Sequence, residues 1–176
     1  MTILGKTVVD SSIESQQRTS PQPGKSSLPR FVAFDPGKST GVCIWDDPKE
    51  RPILIQDLNE NSLDNLLSNL ADLNKLRSIE HVIIEEYRVF NDKFNHQGDK
   101  VHTAQVIGLI KGFCRTLKIP FTEQPARVRT VAALWSGTKV PRGHMPDYMS
   151  AYLHGYFWLH KNGFIPPRVL DENDNG

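Results

Sequence analysis

Residues 30–46, RFVAFDPGKSTGVCIWD, decide the fold. RFVAF is a short apolar run that stops at Asp35, and Pro36-Gly37 is turn chemistry. GVCIW then resumes as a second apolar run. Two strands joined by a tight turn are expected here, with a carboxylate at the end of the first. Working outward, ILIQDL (53–58) is a candidate third strand. Leu63, Leu66, Leu67, Leu70, Leu73 and Leu76 then recur at helical spacing, with Asn61 as the expected N-cap and Asp64 three residues on. HVIIEEY (81–87) is a continuous apolar run ending in acid, the pattern of a buried parallel strand. Val101 to Leu117 reads as a second helix, with Val101, Ala104, Ile107, Ile110, Phe113, Cys114 and Leu117 on one side. Gly108 and Gly112 weaken that helix, so a close approach to the sheet or a ligand is expected at both. IPFTEQ (119–124) is a fifth strand, Ala126 to Trp135 a short helix, and Pro146 to Lys161 a last helix closed by Asn162-Gly163. The order predicts an α/β domain with a mixed five-stranded sheet, three antiparallel strands followed by two parallel ones, flanked by helices.

The chain of 176 residues is long enough for one domain. Its hydrophobic fraction of 38% is low, and residues 1–29, rich in Ser, Gln and Pro without an apolar period, account for part of that. Residues 1–29 are therefore expected to be a disordered tail, 30–168 the folded domain and 169–176 a frayed end. Residues 1–29 hold no apolar stretch long enough for a signal peptide core or a membrane span. Cys43 and Cys114 form no CxxC and sit in apolar runs, which favours buried thiols in a reducing cytoplasm. The net charge of +1 does not by itself point to a polyanion partner. Between Arg88 and Pro146, however, ten Lys or Arg face three acids, enough for a basic face toward nucleic acid or for a merely solvated surface.

Chemistry is suggested by strands that end in carboxylates. If the first and fourth strands are parallel neighbours, Asp35 and Glu85 emerge at one sheet edge, where open α/β sheets place their ligands. Asp147 at the start of the last helix is a third acid, and His144 stands three residues before it. The acids have no obvious Lys or Arg partner in sequence, and such a cluster calls for hard divalent cations, Mg²⁺ or Mn²⁺. Two ions about 3.5–4 Å apart can clamp the attacking and leaving oxygens of a phosphodiester. Taken singly, each residue has a plainer reading. Asp35-Pro36-Gly37 is a turn, Glu85-Glu86 is a strand end meeting water, and Asp147 suits a helix N-terminus on charge grounds alone.

FVAFDPGKSTGVCIWD resembles the first motif of RuvC-like nucleases, VIIEEY the second and HMPDYMSAYLHGYFWL the third, in the right order from Arg30 to Leu159. His154, seven residues past Asp147, is similar to a feature of phage-borne members. The resemblance implies an RNase H-like fold and a crossover junction endodeoxyribonuclease, a Holliday-junction resolvase of the phage type. It further implies that Asp35, Glu85 and Asp147 hold two Mg²⁺ ions, replaceable by Mn²⁺, with His144 at the metal or the attacking water. Glu86 replaces Glu85 if the strand register is shifted by one. Tyr148 stands where the family carries Ala after its last Asp, so it must point away from the metal. A homodimer with its contact near Val101–Leu117, and branched DNA as partner, are also implied. Lys93, Lys100, Arg127, Arg129, Lys139 and Arg142 are the phosphate-contact candidates. Phe90 and Phe94 are candidate stacking wedges, with core or dimer packing the alternative.

Four other readings compete. Gly37-Lys38-Ser39-Thr40 suggests a phosphate-binding loop, but the required glycine five positions earlier is Val32, and Pro36 removes a backbone donor. An actin-like ATP-binding domain also carries an Asp in its first turn but normally runs much longer. A nuclease of the same fold acting on flaps or forks, or a silent DNA-binding module, remains as an alternative to a junction resolvase.

Overall fold

The computed structural model describes residues 30–46, 51–76, 79–87 and 97–165, with backbone alone at 73, 76 and 97–100. Five strands and four helices follow in chain order: β1 (Phe31–Asp35), β2 (Thr40–Trp45), β3 (Leu54–Leu58), α1 (Glu60–Leu76), β4 (His81–Glu86), α2 (Gln97–Leu117), β5 (Phe121–Pro125), α3 (Val128–Ser136) and α4 (Asp147–Lys161). They form one sheet in the order β3-β2-β1-β4-β5. β1 pairs antiparallel with β2, and β2 with β3, whereas β1–β4 and β4–β5 are parallel. This is the mixed sheet expected from the element order.

The central strands read as continuous apolar runs because both faces of the sheet are covered. On one face Val32, Phe34, Val42, Ile44, Val82 and Ile84 pack with Leu63, Leu67 and Leu70 of α1 and Val106, Ile110 and Cys114 of α2. On the other, Phe31, Ala33, Cys43, Trp45 and Ile83 meet Ala151 and Leu159 of α4. α3 closes over the outside of α4 through Ala132, Ala133 and Leu153. The sheet is thus shared out strictly by residue parity, as the two-residue repeat of a strand requires. Gly155 lets α4 lie flat on this second face, since a Cβ there would overlap the Trp45 ring. Trp45 is itself stacked on Phe31 with centroids 4.6 Å apart.

The helices depart from the sequence reading in three places. The N-terminal cap of α1 is Asn59, not Asn61: its side-chain oxygen accepts from the Ser62 amide at 2.9 Å. α2 begins four residues before Val101, in a polar turn that carries no apolar signal. Its buried stripe is Thr103, Val106, Ile110 and Cys114, while Val101 and Ala104 face out. Ile107, Phe113 and Leu117 pack beside that stripe, as the spacing predicts, and only the first turns of the helix depart from it. Gly108 and Gly112 do not mark a close approach either, because a Cβ at each would meet open space. Among the described residues no helix is long and apolar enough to cross a membrane.

Candidate active site

Sheet register gathers the chemistry into one row. Asp35 is paired with Gly41 across β1 and β2, and Gly41 with Asp57 across β2 and β3. Glu85 is paired with Gln124 across β4 and β5. The β1–β4 ladder ends at Phe34 and Ile84, so the next step sets Asp35 beside Glu85. Laterally aligned residues project to the same side of a sheet. Asp57, Asp35, Glu85 and Gln124 therefore share the face that α4 covers, and Gly41 leaves a gap in their row. Into that gap comes the start of α4: a Cβ at Gly41 would overlap the Asp147 carbonyl and the Tyr148 amide. The Tyr148 amide, unpaired within the helix at this end, donates to Asp57 Oδ1 at 2.6 Å. Glu86, one position on, belongs by the pleat to the other side of β4, so Glu85 is the acid that enters the cluster.

α4 contributes Asp147, Ser150 and His154, spaced three and four residues apart and hence on one stripe. Glu85 Oε2 accepts from the Ser150 hydroxyl at 2.9 Å and meets His154 Nε2 at 2.8 Å. His154 is fully buried, and its Nδ1 lies 2.9 Å from Gln124 Oε1. Arg129, from the first turn of α3, reaches in from the side. Its Nη1 donates to Ser150 Oγ at 3.0 Å and stands 3.4 Å from Glu85 Oε2 and 3.9 Å from Asp35 Oδ2. Its Nε holds the Ala126 carbonyl at 3.1 Å. The acids do have a cationic partner, then, and it is a residue counted in sequence among the phosphate contacts. Among the described residues no three His, Cys, Asp or Glu stand close enough to cage an ion. The carboxylates gather around a guanidinium instead.

One guanidinium does not balance this many acids. Burial, then the neighbouring Glu85 and Asp147 charges, push Asp35 up to about 8, against the lowering pull of Ser150 and Arg129. Asp147 is raised by burial, by Asp57 and by Glu85, with His144 and Arg129 opposing. Glu85 pays the same burial penalty, yet its donors His154, Arg129 and Ser150 hold it below its ordinary value. A pH dependence follows. In the folded chain Asp35 keeps its proton to about pH 8, whereas an unfolded carboxyl releases it near 3.8. Between those values the unfolded chain binds fewer protons, so stability falls as pH rises, by up to about 1.4 kcal/mol per unit from this group. Asp147 acts with the same sign. Glu85 acts with the opposite sign, but only below its ordinary value of 4.5. Denaturant melts in chelator at pH 5 and pH 8 should show the protein less stable at pH 8; equal midpoints contradict this charge arrangement.

The remaining sequence candidates are dispersed. His144 has a side chain 89% exposed, with Nε2 3.9 Å from Asp147 Oδ1. Arg127, Arg129, His144 and Asp147 line a cavity of about 530 Å³, with Thr130, Val140 and Met145. Lys139 and Arg142 are exposed on the connection between α3 and α4. Lys93, Phe90, Phe94 and the Lys100 side chain lie outside the described residues. Tyr148 is exposed, its backbone rather than its ring taking part in the site. Four participants escaped the sequence reading of the site: Asp57, Gln124, Ser150 and, as a partner of Glu85, His154. Asp57 and Gln124 are visible only through cross-strand register, whereas Ser150 and His154 were within reach of the i, i+3, i+7 spacing from Asp147.

No protein-family model matches the sequence, and a search of curated proteins finds no match. Solved structures do match. Thermus thermophilus RuvC, in complex with a Holliday junction substrate, superimposes with a TM-score of 0.56 over 79% of this chain and 99% of that one, at 10% identity. The fold is RuvC-like. Fowlpox virus resolvase, crystallised with substrate Holliday junction DNA, gives a TM-score of 0.45 at 14% identity over 74% of this chain and 99% of its own. The yeast mitochondrial Holliday junction resolvase gives 0.44 at 14% identity, over 75% and 79%. At these identities the likeness is one of RuvC-like fold, and the side chains above carry the rest.

Proposed function

We propose that this chain is a divalent-metal-dependent endonuclease that cuts branched DNA, resolving four-way junctions as a homodimer by paired phosphodiester hydrolysis that leaves 5′-phosphate ends. The observation that carries the reading is the acid row on a RuvC-like sheet: Asp57, Asp35 and Glu85 lie along it, and Asp147 comes within electrostatic reach of them from α4. Donor chemistry fits Mg²⁺ or Mn²⁺, since every acid offers hard oxygen, and Asp35 holds its proton first because it is buried and then because Glu85 and Asp147 stand near, a penalty a bound cation would offset. Asp35, Glu85 and Asp147 are the residues that would hold the ions, with His144 beside them at the open edge. Divalent cations bound there supply Lewis-acid stabilisation of the charge that builds on phosphodiester oxygens.

The chain's own groups do the rest. Arg129 stabilises the acids and competes with cations for the same carboxylates. Ser150 and His154 fix Glu85, and Asp57 fixes the first turn of α4. Arg127, Lys139 and Arg142, exposed beside or near the cavity, meet phosphates and set the strand's path. Cytoplasmic location, where DNA substrates are found, accompanies this reading. A cleavage assay tests it on a labelled four-way junction, flap, fork and linear duplex, with Mg²⁺, Mn²⁺ or chelator. Metal-dependent paired nicks confined to the junction establish a resolvase. Cleavage of every branched form keeps the nuclease and widens the substrate. No cleavage with either metal, by folded protein, overturns the proposal.

A further inference from the structure

The acid cluster contains one asymmetry that its charges alone do not require. Among the described residues, every donor to Glu85 meets the same oxygen, Oε2: Ser150 Oγ at 2.9 Å, His154 Nε2 at 2.8 Å and, more distantly, Arg129 Nη1 at 3.4 Å. A carboxylate oxygen offers two lone pairs. Ser150 and His154 occupy both, and Arg129 adds charge at ion-pair distance. His154 is backed by Gln124, whose carboxamide meets Nδ1 at 2.9 Å, and both residues are buried. A carboxamide turned over exchanges acceptor for donor, so Gln124 serves the ring in either protonation state while Nε2 donates to Glu85.

We infer that His154, backed by Gln124 and assisted by Ser150, is a positioning brace that ties down Glu85 Oε2, leaving Oε1 as the single oxygen this residue offers to a cation. The inference rests on the metal-dependent reading above and deepens it. Both supports are rigid elements, α4 and β5, and α4 also carries Asp147. The brace therefore fixes Glu85 and Asp147 against each other through α4. Neither His154 nor Gln124 is at hand for substrate, since both are enclosed between α4 and the sheet. Their effect passes through Glu85 alone. Loss of such an outer partner to a metal ligand typically lowers metal affinity or activity 10–100-fold.

The test uses the full chain with His154→Leu, which removes both ring nitrogens, and His154→Gln, which keeps an N–H donor near the Nε2 position. Mn²⁺ affinity is measured by calorimetry, thermal midpoint by calorimetric or optical melting, and kcat and KM on a four-way junction with Mg²⁺. A folded His154→Leu should bind Mn²⁺ roughly 10–100-fold more weakly, with kcat lowered and KM for DNA unchanged within about twofold. His154→Gln should recover most of both losses. A variant that merely loosens the core would move KM and midpoint without rescue by Gln. If His154→Leu fails to fold, Ser150→Ala, which removes one donor from Oε2 and little volume, should still weaken Mn²⁺ binding several-fold. Wild-type Mn²⁺ affinity in folded His154→Leu, or in Ser150→Ala where Leu does not fold, overturns the brace and spares the nuclease. A wild-type chain that binds no Mn²⁺ and cuts no DNA overturns both.

Discussion

Asp35→Asn is expected to lower junction cleavage by at least roughly 10³-fold while raising the thermal midpoint of the metal-free protein. The two effects have one origin. Asp35 is buried beside Glu85 and Asp147, and its charged form is so disfavoured that it holds a proton to about pH 8. Asparagine keeps the size of the side chain and has no proton to retain against an unfolded chain that releases it near 3.8. A cation site, however, needs the carboxylate that asparagine lacks. Junction affinity in chelator should stay within a few-fold of wild type, because the phosphate contacts proposed for Arg127, Lys139 and Arg142 are untouched. Asp147→Asn should behave alike in cleavage with a smaller gain in midpoint, as Asp147 is the more exposed of the two. Gel-shift, cleavage and melting measurements on one preparation check all three statements. Wild-type-like turnover in Asp35→Asn would falsify the assignment of the row as the reacting site.

Gly41→Ala should cost about 3 kcal/mol of stability and roughly 10²-fold in cleavage, although Gly41 has no side chain to take part in anything. The added methyl overlaps backbone atoms of Asp147 and Tyr148, which cannot rotate away as a side chain would. The first turn of α4 must lift from the sheet, carrying Asp147 with it and breaking the amide bond to Asp57. Gly108→Ala is the matched control. Its Cβ enters open space in the middle of α2, so it should stabilise by about 0.5–1 kcal/mol through helix propensity. Denaturant titration of the pair, with cleavage rates alongside, decides the matter. Equal stability of the two variants rules out the close contact between β2 and α4.

The sheet was legible because apolar runs, turn dipeptides and acid stops are local signals, and all of them lie within a few residues of one another. Asp35 and Glu85 could be placed at one edge as soon as their strands were taken as parallel neighbours. Arg129 could not be placed at all. One arginine among ten bases has no local mark to separate a group turned into the acids from one turned to water. His154 was noticed as a motif residue but not as a partner of Glu85, since that pairing spans 69 positions and depends on how α4 crosses the sheet. α2 was legible over most of its length, since Ile107, Ile110, Phe113, Cys114 and Leu117 all pack on the core. Only its first turns differ, where Thr103 is buried and Val101 and Ala104 are exposed.

The course of α4 along the sheet sets two rulers against each other. A strand advances about 3.3 Å per residue, while a helix advances about 1.5 Å and turns through about 100°. The start of α4 lies over Gly41 and Gly155 lies over Trp45, so eight residues of helix, about 12 Å, run beside four of β2, about 13 Å. On the way Asp147, Ser150 and His154 keep to one stripe, and Ser150 and His154 both meet Glu85. The match tolerates no change of length between residues 147 and 154, because one inserted residue would swing every later side chain away from the sheet. It is indifferent to the connections outside that span. Insertions between α3 and α4, where Lys139 and Arg142 are exposed, would leave the spacing of Asp147, Ser150 and His154 as it is.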